Sequence, residues 1–402
     1  MRQFVKRQSR IKTLGTRHCF NHIADSEHWL LSLASMNEVV HLDTDSDNGG
    51  QSHAVTISGG MSYGQLCPYL HDRGFALHNL ASLPHISVAG ACATATHGSG
   101  EKNGNLATSV SGLEMVTADG EVLNVSRRSD PQNFCAVVVG LGCFGVITKL
   151  ALDIQPAFLM RQSVYENLPF NELLANFDVI QASGYSVSLF TDWQNHKINE
   201  VWIKSRIQER EDATEFESKA EFFGAPLATQ NVHPIGGISA ENCTEQMGVR
   251  GPWYERLPHF RMGFLPSAGD ELQSEYFVPR HHALEAILAV ERLRDGIGPH
   301  LLITEIRAIA ADDLWLSPCY KRPSIAIHFT WKQDWNAVKQ LLTLIERELA
   351  PFSARPHWGK LFTMSPSQLK PLYEKLPAFV KLSNQFDPTG KFRNQFLNTY
   401  IF

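Results

Sequence analysis

The sequence has no excess of positive charge and no long apolar segment. Its 36 Lys and Arg residues are outnumbered by 41 Asp and Glu, which leaves a formal net charge of -5. That balance argues against a nucleic-acid-binding surface. No apolar run reaches the roughly 18 residues of a transmembrane helix, and the basic stretch over residues 1–12 lacks the apolar core of a secretory signal. We therefore expect no nucleic-acid partner and no membrane association.

Cysteine pairs at metal-binding or redox spacing are also missing. The seven Cys residues are an odd number and none lies in a CxxC pair, which disfavours a zinc knuckle or a disulfide framework. Although the chain has 17 His residues, no HxxxH or HxH pair lies on one clear element, so we predict no metal site. Reduced thiols of this kind predict a cytoplasmic protein.

Length and hydrophobic pattern predict an α+β protein with two or three domains. The segment GLEMVTADGEVLNV predicts a hairpin that turns at Asp119-Gly120. Further along, runs such as LLITEIRAIA and SIAIHFTW alternate with period two, which is typical of a largely antiparallel sheet. Residues 1–12 are predicted to form the second half of an amphipathic helix.

Two glycine motifs match known patterns without their structural context. GLGCFG, residues 140–145, has the spacing of a dinucleotide-binding fingerprint, but it leads into the strand-like VITKLALDI and not into a helix. GMSYG, residues 60–64, matches the nucleophile elbow of hydrolases between a strand and a helix. No HGGG-type oxyanion segment precedes it, so a hydrolase is a disfavoured alternative.

Small residues concentrate in two turns, Gly15–His18 and Gly90–Gly100. Little side-chain bulk lets a ligand approach the backbone closely, and consecutive backbone N–H groups can hold a pyrophosphate without a lysine. Tight packing is the alternative interpretation. Because two such turns occur in one block, we favour a large phosphate-bearing ligand.

Polar residues recur on two strand-like runs of the middle section. Glu305 and Arg307 are two residues apart, as are His328 and Thr330, so each pair shares one face of its strand. If the strands are neighbours, these four side chains form a pocket floor; a solvated sheet face is the alternative. Lys360 lies among aromatics in ARPHWGKLF, where burial would favour its neutral form and make it a candidate base.

Three segments together resemble the flavin oxidases of the vanillyl-alcohol-oxidase superfamily: NLASLPHISVAGACATATHGSG, GTRHCFN and FDPTGKFRN. Within that superfamily the similarity is to the alditol oxidases, with the aldonolactone oxidases as near relatives. The resemblance implies a two-subdomain PCMH-type FAD-binding domain over residues 1–156 and an α+β cap domain with a largely antiparallel sheet over 157–369. Residues 370–402 would return to the FAD domain. It also implies that a strand and a helix of the family are missing before Met1.

The resemblance assigns roles to single residues. It implies FAD joined covalently through His18, where the neighbouring Cys19 replaces a usual serine. The residues implied around the cofactor are Thr13, Leu14, Gly15, Thr16, Arg17, His18, Cys19, Ser82, Ser87, Gly90, Thr94, Ala95, Thr96, His97 and Val146. Substrate contacts are implied for Ser82, Glu305, Arg307, Thr330 and Lys360, and catalytic roles for Lys360, Arg307 and His328.

The implied reaction is the oxidation of a polyol. A hydride passes from the terminal CH2–OH of an alditol such as xylitol, sorbitol or glycerol to flavin N5, giving an aldose, and molecular oxygen then takes the electrons to give hydrogen peroxide. Arg307 and Lys360 would stabilise the developing alkoxide, with Lys360 or a neighbour accepting the proton. An aldonolactone or sugar-acid oxidase or dehydrogenase is the first alternative, and a truncated, flavin-poor binding protein is the second. We expect a monomer.

Overall fold

The computed structural model describes residues 1–44, 53–207, 219–263 and 271–402. Within these ranges, no helix is long and apolar enough to cross a membrane. The strands are β1 (Ile11–Leu14), β2 (Trp29–Ser32), β3 (Val39–Asp43), β4 (His53–Ser58), β5 (Phe75–Ala76), β6 (Val110–Val116), β7 (Val122–Ser126), β8 (Val146–Pro156), β9 (Leu159–Pro169), β10 (Ser186–Thr191), β11 (Lys197–Arg206), β12 (Glu221–Phe222), β13 (Ala225–Pro226), β14 (Gly251–Pro252), β15 (Glu271–Pro279), β16 (Leu301–Ile309), β17 (Ser324–Lys332) and β18 (Arg355–Pro356). The α-helices are α1 (Arg2–Arg7), α2 (Tyr63–His71), α3 (Val88–Ala93), α4 (Pro131–Val137), α5 (Phe170–Gln181), α6 (Ala283–Glu291), α7 (Arg294–Ile297), α8 (Trp335–Leu349), α9 (Pro366–Leu369), α10 (Leu376–Phe386) and α11 (Gln395–Tyr400).

The first part of the chain builds an antiparallel sheet with the strand order β3-β4-β8-β6-β7, and β5 pairs with the end of β8. The predicted hairpin is confirmed, because β6 and β7 pair up to Val116 and Val122. Gly120 adopts a left-handed φ of 82° at its turn, a conformation that glycine reaches without steric cost. VITKLALDI is a strand, as predicted, and its side chains alternate between buried and half-buried.

The GxSxG segment is a helix start. Ser62 is the N-cap of α2: its Oγ accepts a hydrogen bond from the Gln65 N–H at 3.3 Å, and the Gln65 Oε1 accepts one from the Ser62 N–H at 3.0 Å. This reciprocal capping box satisfies two backbone donors at the helix end. The hydroxyl of Ser62 thus has a structural partner where a hydrolase would require a catalytic base.

The second sheet has the strand order β14-β9-β11-β10-β16-β17-β15-β18, as far as the described ranges show, and each of its pairs is antiparallel. The prediction of a largely antiparallel cap sheet is therefore confirmed. Helices α5, α6 and α8 pack against strands of this sheet. The Tyr276 hydroxyl of β15 donates to Glu346 of α8 at 2.8 Å.

The N-terminus differs from its expected helix. Helix α1 ends at Arg7, and residues from Ile11 onward form β1, which pairs in parallel with β2. The helix predicted over residues 1–12 is thus wrong for its last residues. Ile11 donates its N–H to the Lys391 carbonyl at 3.0 Å, so a distant segment of the chain, which local pattern does not reveal, favours the extended conformation.

The last thirty residues contact the beginning of the chain. Phe379 and Phe386 of α10 pack edge-on against Phe144, with ring centroids 5.1 and 5.5 Å apart. Lys391 donates to the carbonyl of Val5 at 2.8 Å. These contacts accord with a C-terminal segment that returns to the first block, by which we mean the described elements from α1 to β8. The domain limits themselves remain a prediction.

Candidate active site

A cavity of about 720 Å³ lies between the first block and the second sheet. One wall consists of the turn after β1 together with residues around α3, and the other consists of β15, β16 and β17 with the segment after β18. A volume of this size is within the range of small-molecule and cofactor sites.

The first wall is shaped for a phosphate-bearing ligand. Arg17 has a left-handed φ of 55°, and such a residue turns successive backbone N–H groups toward one point, as in anion-binding nests. In the described part of the chain, the N–H groups of residues 15–19 donate to no protein acceptor. A Cβ atom at Gly15 or Gly90 would approach the Ser87 Oγ to 3.1 or 2.7 Å. The two predicted small-residue turns therefore lie against each other, and the flavin pyrophosphate fits this backbone cradle.

Most of the predicted cofactor residues line the cavity. Ala95 and Val146 do not line it; they are fully buried beside it, although Gly145 and Ile147 on either side of Val146 do. The residues at the wall are Thr13, Leu14, Gly15, Thr16, Arg17, His18, Cys19, Ser82, Ser87, Gly90, Thr94, Thr96 and His97.

His18 presents a neutral imidazole to the cavity. Burial, together with His85 and Lys360, lowers the pKa of His18 to about 4, and its ring centroid lies 5.5 Å from that of His85. A neutral ring keeps a nitrogen lone pair that can act as a nucleophile. Burial raises the pKa of the adjacent Cys19 to about 11, so this residue is a thiol at neutral pH.

The loop that carries His18 is bound to the loop that carries Lys360. Phe20 donates its N–H to the Gly359 carbonyl at 2.8 Å. The Asn21 side chain donates to the carbonyls of Trp358 at 2.8 Å and Lys360 at 2.6 Å. The two walls of the cavity are therefore held in a fixed relation by backbone contacts.

The second wall is the polar face of the second sheet. Strands β16 and β17 are neighbours, and Glu305 lies directly opposite His328. Because side chains alternate along a strand, Arg307 and Thr330 share this face. The structure thus brings together the four polar residues predicted for a pocket floor, and Lys360 joins them at the cavity wall.

Glu275 lies at the centre of this group, and sequence reasoning missed it. Its Oε1 accepts from the Arg307 Nη2 at 2.7 Å and contacts the His97 Nε2 at 3.1 Å, while its Oε2 accepts from the Lys360 Nζ at 2.7 Å. Burial alone would raise the pKa of Glu275, but Lys360, His97 and Arg307 hold it well below its usual range. The same period-two alternation along ELQSEYF could have placed Glu275 on a polar face.

The charge states of Lys360 and His328 decide which of the two has a lone pair that can accept a proton. Burial lowers the pKa of Lys360, although its contact with Glu275 opposes this effect. Burial and the charge of Lys360 hold the pKa of His328 well below its usual range, so its ring is neutral. The His328 Nε2 donates to the Gln273 Oε1 at 3.2 Å, which leaves the Nδ1 lone pair available.

Glu305 is paired with a second residue that sequence reasoning missed. The His259 Nε2 donates to the Glu305 Oε1 at 2.7 Å, and the Arg307 Nε lies 3.5 Å from the Oε2. Although burial would raise the pKa of Glu305, Arg307 and His259 hold it well below its usual range. His259 also donates its N–H to the Ser82 carbonyl at 3.1 Å, so the segment that carries His259 is attached to the N-terminal part of the chain.

The wall therefore combines two cations, Arg307 and Lys360, with two ionised carboxylates, and it also carries the neutral imidazoles of His328 and His259. Arg307 and Lys360 can stabilise an oxyanion, since fixed charges in a water-poor cavity interact strongly with developing charge. His328 can accept a proton. Glu305 can accept hydrogen bonds from hydroxyl groups.

Two family models match the chain. One, described as an FAD binding domain, matches residues 1–126, and the other, described as D-arabinono-1,4-lactone oxidase, matches residues 270–400. The first match contains the glycine turns of the cavity, and the second contains Glu275, Glu305, Arg307 and Lys360.

The chain is also similar to whole proteins of known activity. It is 45% identical to an alditol oxidase from Streptomyces sp. (strain IKD472 / FERM P-14339), over 96% of this chain and 89% of that protein. It is 26% identical to the L-gulonolactone oxidase of Bos taurus, over 99% of this chain and 91% of the other. Among solved structures, cholesterol oxidase from B. sterolicum matches with a TM-score of 0.75 and 16% identity, over 98% of this chain and 89% of that one. This last likeness concerns the fold alone.

Proposed function

The chain belongs to the alditol oxidase family of FAD-dependent oxidoreductases, and from this premise we propose that it oxidises the terminal CH2–OH of an alditol, of the xylitol, sorbitol and glycerol class, to an aldose. Molecular oxygen is the proposed electron acceptor and hydrogen peroxide the second product. Oxidation of an aldonolactone, the substrate class of the other relatives, is the alternative activity.

One observation carries the proposal. Arg307 and Lys360 both donate to Glu275 at 2.7 Å, so two cations are held side by side on the wall opposite the glycine turns. This geometry suits the oxygen atom of an alcohol that loses its proton, because both charges act on the same developing oxyanion. His328 lies on the same face, with its Nδ1 free to take that proton.

The remaining hydroxyls of a polyol need partners on the same wall. Glu305 is ionised and buried, so a hydroxyl that donates to it makes a charge-assisted hydrogen bond. Thr330 and Ser82 also line the cavity and can donate or accept. Selectivity for polyols over simple alcohols would then result from buried hydrogen bonds that a simple alcohol leaves unpaired.

FAD, when bound, supplies the acceptor for the hydride and passes the electrons to oxygen. We propose that residues 1–156 hold it, that residues 157–369 form the cap over the substrate, and that residues 370–402 return to the FAD-binding part. The backbone of Gly15–Cys19, with Ser87, Gly90 and Thr94–His97, would hold the pyrophosphate and ring, and the backbone near Val146 the adenine part. The neutral imidazole of His18 supports a covalent bond to the flavin.

A lactone substrate is the second candidate. It is favoured by the match of residues 270–400 to the family model described as D-arabinono-1,4-lactone oxidase.

The seven cysteines, all of them free thiols, support a location in the reducing cytoplasm. We also propose a monomer, since one chain supplies both walls of the cavity.

The test is a peroxide assay combined with acid precipitation of the purified protein. We expect peroxide with xylitol or sorbitol, and less with D-arabinono-1,4-lactone or L-gulono-1,4-lactone. We also expect flavin absorbance to stay in the washed acid pellet, and to move to the supernatant in His18→Ala. Turnover of the lactones in preference to all polyols would overturn the alditol proposal, and flavin that washes free from the wild type would overturn the covalent bond.

A further inference from the structure

Lys204 is a fully buried lysine on β11, away from the cavity wall. Its Nζ donates three hydrogen bonds: to the carbonyls of Leu257 at 2.6 Å and Pro258 at 3.0 Å, and to the Nδ1 of His259 at 3.0 Å. An ammonium group has three protons and no lone pair, so these three acceptors saturate it. Burial lowers the pKa of Lys204 to about 7, but only the protonated form satisfies all three acceptors.

The contact with Lys204 determines which nitrogen of His259 carries the proton. Because an ammonium only donates, the His259 Nδ1 must be an unprotonated acceptor. Burial, with the charge of Lys204, lowers the pKa of His259 to about 4, so the ring is neutral and its one proton is on Nε2. That proton is donated to the Glu305 Oε1 at 2.7 Å.

The position of the His259 ring is restrained by backbone hydrogen bonds and by two aromatic neighbours. Its backbone N–H donates to the Ser82 carbonyl at 3.1 Å and its carbonyl accepts from the Thr244 N–H at 2.9 Å. The ring packs edge-on against Phe190 and Trp202, with centroids 5.5 and 5.2 Å away. The ring therefore has little freedom to turn and offer Glu305 a different atom.

We propose that Lys204 is a positioning residue that fixes the tautomer of His259 and thereby commits the Oε1 of Glu305 to the protein. The Oε2, which faces the Arg307 Nε at 3.5 Å, then accepts polyol hydroxyls beyond the reacting carbon. The proposal rests on the proposed alditol oxidase function. It accounts for the series of hydrogen bonds that runs from the buried Lys204 through the buried His259 to Glu305.

Two variants and a matched control test this arrangement. Lys204→Met keeps the length of the side chain but removes the donor to Nδ1, and His259→Phe keeps an aromatic ring without either nitrogen. His259→Gln is the conservative control, because its amide can accept from Lys204 and donate to Glu305 as the imidazole does. Flavin content and thermal stability are measured for all of them.

The first measurement is independent of turnover. In ¹⁵N-labelled protein at pH 6, the His259 signals, assigned by their loss in His259→Gln, are expected to show a protonated Nε2 and an unprotonated Nδ1. In Lys204→Met we expect this preference to weaken. A wild-type ring with its proton on Nδ1 would overturn the proposal, even if no polyol were oxidised.

The second measurement compares substrates of different length. In Lys204→Met and His259→Phe we expect the KM for sorbitol and xylitol to rise about 10- to 100-fold, the effect of losing a hydrogen bond to a charged group. The KM for glycerol, which has fewer distal hydroxyls, should rise about threefold at most, kcat should change little, and His259→Gln should stay near the wild type.

The outcomes separate the two proposals. Equal losses for every polyol, accompanied by lower flavin content, would mean a merely structural role for Lys204 and would overturn the inference. A wild-type protein that oxidises no polyol would refute the proposed function, while the tautomer measurement would still decide whether Lys204 controls His259.

Discussion

At the residue scale, the proposed role of Lys360 in stabilising the developing oxyanion can be tested directly. We expect Lys360→Met to lower kcat about 10²- to 10³-fold, the effect of removing one donor that stabilises a developing oxyanion. Stopped-flow reduction of the flavin by xylitol measures this step directly. Lys360→Arg keeps the charge near Glu275 and should recover part of the rate. An unchanged rate of flavin reduction in Lys360→Met would exclude this role.

Glu275 is expected to stabilise the folded protein, because it pairs with both Arg307 and Lys360. Glu275→Gln leaves the buried charges of Arg307 and Lys360 without their shared carboxylate, which should lower the free energy of unfolding by about 3–5 kcal/mol at pH 7. Guanidinium unfolding followed by tryptophan fluorescence measures the difference.

The pH dependence of that difference follows from the lowered pKa of Glu275. A carboxyl whose pKa is lower in the folded than in the unfolded state stabilises the protein fully above the unfolded value, about 4.3. The stabilisation is lost as the pH falls toward the folded pKa. The gap between wild type and Glu275→Gln should therefore shrink progressively as the pH falls below about 5. A gap that widens with acidification would contradict this assignment.

At the element scale, the turn that follows β4 leaves no room for a side chain at Gly60. A Cβ atom at Gly60 would lie 1.8 Å from the Leu33 carbonyl oxygen, a contact that only a backbone shift can relieve. We expect Gly60→Ala to destabilise the protein by about 1–3 kcal/mol and to lower its flavin content, since Gly60 lines the cavity. Thermal unfolding with a flavin assay measures both.

Gly236 offers a control for this substitution. A Cβ atom at Gly236 meets nothing within 4 Å, so Gly236→Ala should change stability by less than about 0.5 kcal/mol. If Gly60→Ala and Gly236→Ala have the same stability, the close approach of Gly60 to Leu33 is not the cause of the destabilisation.

At the scale of the whole molecule, Asn21 connects the two walls of the cavity through its bonds to the carbonyls of Trp358 and Lys360. Asn21→Ala should displace the Lys360 loop relative to the flavin and lower kcat/KM for xylitol about 10- to 100-fold, because small misplacements of reacting groups are costly. Flavin should remain in the acid pellet, since His18 is unchanged. Steady-state kinetics and acid precipitation check the two parts, and a parallel loss of bound flavin would contradict the prediction.

The sequence alone determined which residues share a face within one strand. Alternation of side chains put Glu305 with Arg307 and His328 with Thr330, and turn chemistry located the hairpin at Asp119-Gly120. These features depend on neighbours in the chain, so local pattern contains them. The small-residue turns likewise indicated a phosphate-bearing ligand before their arrangement was known.

Only the tertiary structure decided which strands and loops meet. Glu275 bonds His97 across 178 residues of sequence, and His259 bonds Glu305 across 46, so no spacing rule could pair them. The order β10-β16-β17-β15 is not the order along the chain, and it is this order that brings Glu275 of β15 to Arg307 of β16. The helix predicted over residues 1–12 is wrong at Ile11 for the same reason: the partners of this strand lie in β2 and at Lys391. Burial and charge at the site are products of long-range packing, and they determine which groups stay ionised.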